Sequence, residues 1–170
     1  MAEPSTVLRY RDIDPQEIAE LLALFQLEIS ITEGKRDIPG SYWGGEEAGM
    51  IGNQLYLRTD TPIHSILHEC SHYICMDNER RISLHTNAYS DDDEENAVCY
   101  LQVLLAQKLP SISIERLFSD MDSWGYSFRL GSTKNWYLED AFEARDWLLK
   151  NRLINKQCLP LLHLRGISKR

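Results

Sequence analysis

Thr61-Pro62-Ile63-His64-Ser65-Ile66-Leu67-His68-Glu69-Cys70-Ser71-His72 is the stretch on which the reading of this 170-residue chain turns. It ends in H-E-x-x-H. Histidines four apart sit one turn apart on the same helix face, so both imidazoles can reach one zinc ion. The glutamate between them points toward the ion's open side, where it can take a proton from water. Thr61 as cap and Pro62 in the first turn predict a helix start, and the helix should run to about Met76. The chemistry expected of such a site is hydrolysis, with a peptide bond as the leading substrate.

Just upstream, Asn53 to Thr59 alternates. Leu55 and Leu57 face one way, and Gln54, Tyr56 and Arg58 the other, which predicts a half-buried strand at a sheet edge. Downstream, Ser90 to Glu95 reads S-D-D-D-E-E. Acidic residues favour the positive end of a helix dipole, so a second helix should start here and continue through Ala97, Leu101, Leu104 and Leu105 to about Lys108. Asp91, Asp92 and Asp93 are read as capping rather than as a calcium loop, because the D-x-D-x-D-G spacing is missing. Asp77 to Ser90 reads as a loop.

The third zinc ligand has several candidates. The extended histidine motif fails, since Cys75 and Asn78 stand where glycine and histidine are needed. His85, in the following loop, can serve. So can Glu94 or Glu95 in the opening turn of the second helix. Periodicity favours Glu94, which falls on the stripe of Ala97, Leu101, Leu104 and Leu105. Glu95 is read as a capping-box partner of Asp92.

His68-Glu69-x-x-His72 followed by Glu94-x-x-Ala97-x-x-x-Leu101-x-x-Leu104-Leu105 resembles the gluzincin metallopeptidases. Among small intracellular members it is most similar to the ImmA/IrrE type, over about Asn53 to Pro110. The resemblance implies a zincin-like α+β domain with a small, mixed or mainly antiparallel sheet, its H-E-x-x-H helix packed against a glutamate-bearing helix. It implies His68, His72 and Glu94 as ligands of Zn2+, Glu69 as general base, and the strand Asn53 to Thr59 as the edge that pairs with an extended peptide or protein substrate. The alternative from another class is a zinc-binding regulatory or interaction domain without catalysis, which His85 as a fourth ligand would favour. A zinc hydrolase acting on a non-peptide amide is a third.

Elsewhere, Asp14-Pro15 opens a helix with Ile18, Leu21, Leu22, Phe25 and Ile29 on one side, expected to reach about Thr32. Residues 34 to 53 hold six glycines and read as turns and short strands, Tyr42-Trp43 among them. A short helix is expected at Ile112 to Met121, with a turn at Trp124-Gly125. A long helix should follow from Ser132 or Thr133 to about Asn151, burying Trp136, Phe142 and Trp147. His64 is read as an exposed or partly buried polar residue near a helix start, and Cys70 as core packing. Tyr126, Tyr137 and His163 are equal candidates for stabilising an oxyanion.

Composition sets the bounds. With 43% hydrophobic and 26% charged residues the chain is ordinary globular material, and residues 1 to 170 are expected to form a single domain. A formal net charge of -8 argues against a general affinity for nucleic acid or anionic membrane. No apolar run of membrane-span or signal-peptide length occurs, and Cys70, Cys75, Cys99 and Cys158 form no C-x-x-C pair. A cytoplasmic location is therefore expected. Oligomeric state is open.

Overall fold

The computed structural model describes residues 6–41, 45–85 and 90–167. It is an α+β fold with seven α-helices and a three-stranded mixed sheet among those residues. The helices are α1 (Pro15–Ala23), α2 (Ile63–Cys75), α3 (Asn78–Ile82), α4 (Asp92–Ala106), α5 (Ile114–Trp124), α6 (Thr133–Glu139) and α7 (Phe142–Lys150). The strands are β1 (Glu28–Ile31), β2 (Gly49–Ile51) and β3 (Gln54–Leu57), in sheet order β1-β3-β2. None of the helices is long and apolar enough to cross a membrane.

The alternation around Leu55 predicts β3 correctly, and both Leu55 and Leu57 are fully buried. Its place in the sheet differs from expectation. β3 is central, parallel to β1 on one side and antiparallel to β2 on the other. Its backbone N–H and C=O groups are committed to those neighbours, so it cannot pair with a substrate strand. β2 and β3 are joined by the two-residue turn Gly52-Asn53. The backbone of Pro39 to Ser41 crosses β2 at Gly49 so closely that any side chain there would collide with it.

The helix expected from Asp14 to about Thr32 stops at Ala23, and Glu28–Ile31 forms β1 instead. Ile29 and Ile31 are β-branched and suit a strand, and the parallel pairing Ile29↔Leu55 rewards that conformation. The expected loop Asp77 to Ser90 contains α3, capped by the Asp77 side chain. The expected helix 132–151 is two, broken at Asp140-Ala141. Phe142 therefore does not share a buried stripe with Trp136. It is exposed, with the Arg145 guanidinium over its ring, while Trp136 is buried. Tyr42-Trp43 lies outside the described residues. The turn at Trp124-Gly125 is present, with Gly125 ending α5 at φ +106°.

α2 and α4 form the centre. α4 packs against α2, α5 and α7 and is buried on almost every side from Ala97 to Ala106. α2 is likewise buried along most of its length. Thr61 does not cap α2, because its hydroxyl accepts a hydrogen bond from the Arg58 amide. The other end of α2 is closed from outside. Arg81, itself buried, donates to the carbonyls of Tyr73 and Met76, and to that of Arg165 near the far end of the chain. The Arg165 side chain donates to the carbonyl of Cys75. Two guanidinium groups thus meet the orphan carbonyls and the negative dipole end of α2.

Arg81→Met should leave these buried carbonyls without donors. A loss of at least about 2 kcal/mol in urea-unfolding free energy is expected. An unchanged unfolding midpoint would show that the carbonyls find other partners.

Candidate metal centre

α2 presents His64, His68 and His72 at successive turns, and α4 presents Glu95, Cys99 and Gln102 at the spacing of one helix face. The two faces meet. Nε2 of His68 lies 3.1 Å from Nε2 of His72. The Glu95 carboxylate reaches both rings, with Oε1 at 3.1 Å from His68 Nε2 and Oε2 at 3.1 Å from His72 Nε2. These three residues form a group able to hold a metal ion.

Glu94, the expected third ligand, is turned away. Its carboxylate accepts two hydrogen bonds of 2.9 Å from the Arg80 guanidinium, and Arg165 lies 4.0 Å off. The reason lies in the cap. Asp91 caps α4 by accepting from the Glu94 amide, so Glu94 is the third helical residue and points at α3. Glu95 is the next one round, where it meets α2 and also accepts from the Ser90 hydroxyl. The stripe that favoured Glu94 is uninformative because α4 has no exposed side to set the phase. His85 is bridged to Ile51 at the sheet margin and is not part of the group.

Gln102 went unread in the sequence, although a glutamine inside Val98 to Ala106 is itself a signal. It is fully buried. Its Nε2 donates to the His64 carbonyl at 2.8 Å and its Oε1 lies 2.9 Å from His68 Nδ1. A carbonyl only accepts, so the amide orientation is fixed, and His68 Nδ1 must carry the proton it donates to Oε1. That leaves Nε2 as the atom that can ligate. A metal-binding histidine is commonly held in this way by an outer carbonyl or carboxylate.

Donor chemistry and spacing are those of a group that could hold a metal ion, zinc among the ions it would suit. Two imidazole nitrogens and one carboxylate, with a further position open, are a catalytic-type set, and bonds of ~2.0–2.1 Å in a tetrahedron place ligand atoms about 3.3 Å apart. Burial pushes the Glu95 carboxyl up, but hydrogen bonds from His68 and His72 outweigh it and hold it below the usual carboxylate range. Burial works against a charged His68, yet Tyr126, Cys99 and Glu95 around it make it hold its proton more tightly than an ordinary imidazole. Loading a metal there would exchange for a proton.

Glu69 is half-buried beside the group. Burial raises its carboxyl above the usual range, and the nearby His72 and His68 only partly offset this. Such a carboxyl is suited to taking up and returning a proton. Cys70 is fully buried and its thiol is pushed up by burial, so it is core and not a thiolate ligand.

The oxyanion candidates separate. Tyr137 stacks on Tyr100, and His163 Nδ1 lies 3.0 Å from the Leu164 carbonyl. Tyr126 adjoins the centre, on its outer side. Its hydroxyl is 3.3 Å from both Gln102 Nε2 and His64 Nδ1, behind the His68 ring. Burial pushes its phenol up to about 12. His64 is buried, at 2% exposure, contrary to the expectation of an exposed or partly buried residue. It packs against Trp124 and Tyr126. Burial, then the charges of His68 and Arg9, push its pKa down to about 3.

Two outcomes follow. Glu95→Ala should weaken zinc binding by at least about 100-fold if Glu95 is a ligand, while Glu94→Ala should keep it within about tenfold and leave Arg80 paired with Asp77 alone among these carboxylates. Metal loss on the Glu94 change alone would reverse the assignment. Because His64 is neutral when folded and titrates near 6.5 when unfolded, its contribution is complete above pH 6.5 and declines as pH falls toward about 3. Relative to His64→Leu, the native chain should lose stability from pH 6.5 to 4 at up to about 1.4 kcal/mol per pH unit. Parallel stability–pH curves for the two would disprove a neutral buried His64.

Comparison of the chain with protein-family models, curated proteins and solved structures gave no match.

Proposed function

We propose that this protein is a zinc-dependent hydrolase of peptide bonds, a zincin-like metallopeptidase of gluzincin type with Glu95 in the role of third ligand. The convergence of His68 Nε2, His72 Nε2 and the Glu95 carboxylate, 3.1 Å apart, with Glu69 next to them on α2, carries this reading. Zinc held by these residues supplies Lewis acidity toward water and a carbonyl oxygen. Glu69 takes the proton of the attacking water and returns it to the leaving amine. Gln102 keeps the Nδ1 proton on His68 and so keeps Nε2 directed at the centre. A peptide or protein is the substrate. A reducing, cytoplasmic setting goes with it, because Cys70, Cys75 and Cys99 serve as buried hydrophobes.

The presence of Glu69 favours catalysis over a regulatory zinc domain, since a metal that only braces the fold has no use for a base beside it. Zinc content of the purified protein and turnover of a quenched fluorescent peptide library check this directly. Glu69→Gln should cut turnover by about 10²- to 10⁴-fold while zinc stays bound. No zinc binding at micromolar concentration, or full activity in Glu69→Gln, would end the peptidase reading.

A further inference from the structure

A cavity of about 270 Å³ is lined by residues of α4, α6 and α7 and of the segment after Tyr126, none of them a member of the His68–His72–Glu95 group. Two chain connections relate it to that group. Asn96, on its wall, directly follows Glu95 in α4. Ser127 and Phe128, also lining it, directly follow Tyr126, whose hydroxyl meets Gln102 behind His68. In its lining the Phe128 and Trp136 rings stack with centroids 4.4 Å apart. Trp136 is buried, and small Ala144 on α7 leaves the space open.

The rim is charged. Arg129 is held by Asp140 through bonds of 2.8 and 2.9 Å. Glu143, exposed on the same rim, makes no hydrogen bond or close ion pair among the described residues. With Arg129 set against Asp140, the carboxylate of Glu143 leaves the lining one negative charge in excess.

Size and charge together select the occupant. The volume is below the ~300–1,000 Å³ usual for pockets that enclose a whole small molecule, and is enough for one long side chain. Aromatic faces accept an aliphatic stem and attract a cation, and the net negative charge of the lining adds to that attraction. An acidic side chain is repelled there, and a purely aliphatic one gains nothing from Glu143.

We propose that this cavity receives the side chain of a lysine or arginine of the peptide acted on at the His68–His72–Glu95 centre. The assignment rests on the peptidase reading for its substrate, and its test is independent of turnover. Ac-Ala-Arg-Ala-NH2 and its neutral citrulline counterpart are titrated into the full-length, zinc-free protein and followed by NMR. The arginyl peptide should shift the signals of Asn96, Ser127 and the Trp136 indole, and should bind about fivefold more tightly than the citrulline peptide, the size of one exposed ion pair. Glu143→Gln, at an exposed position with its fold checked by the dispersion of the same NMR spectrum, should erase that difference. Equal affinity of the two peptides, shifts confined to other residues, or an undiminished preference in Glu143→Gln would overturn the assignment. Selective binding in a protein that proves unable to hydrolyse peptides removes the peptidase reading and leaves the cation pocket standing. Hydrolysis with no arginine preference does the reverse.

Discussion

The seam between α2 and α4 is bridged by one carboxamide. Gln102 joins the His68 ring to the His64 carbonyl, so a single buried side chain ties the two helices together and sets the tautomer of a candidate ligand. In a low-dielectric interior each of these bonds is costly to leave unmade. The pairing also fixes which α4 residue faces His72. With Gln102 against His68, the same helix face carries Glu95 two turns earlier, and that is where the carboxylate meets both imidazoles. Packing and chemistry are therefore one constraint at this seam.

What could be read in the sequence follows physical range. H-E-x-x-H, the alternation of Leu55 and Leu57, and the acidic start of α4 are local patterns whose meaning depends on a few neighbouring residues. Glu94 and Glu95 were not separable that way. The choice depends on the phase of α4, and a helix covered by α2, α5 and α7 carries no polar face to mark it. The cap at Asp91 does mark the phase, since it makes Glu94 the third residue and turns it toward Arg80.

β1 was hidden for a different reason. Ile18, Leu21, Leu22, Phe25 and Ile29 keep helical spacing across a break at Gln26, which adopts φ 60°. Only the parallel partner β3, distant in sequence, makes Glu28–Ile31 a strand. The same pairing puts β3 in the middle of the sheet rather than at its edge, so the end of α1 and the place of β3 are decided together. The partners of Gln102 and Tyr126 are not given by local pattern for a related cause: they arise from contacts across 34 and 24 residues.

The Arg81 and Arg165 clamp at the end of α2 has a temporal side. The carbonyl of Cys75 waits for a donor 90 positions further along the chain. During synthesis the H-E-x-x-H residues and Arg81 emerge long before Arg165, and that late residue also approaches Glu94 at the start of α4. The frame around the centre is thus closed in part by a distal segment. A growing chain carries every donor atom of the cluster well before it has the frame that holds them in register.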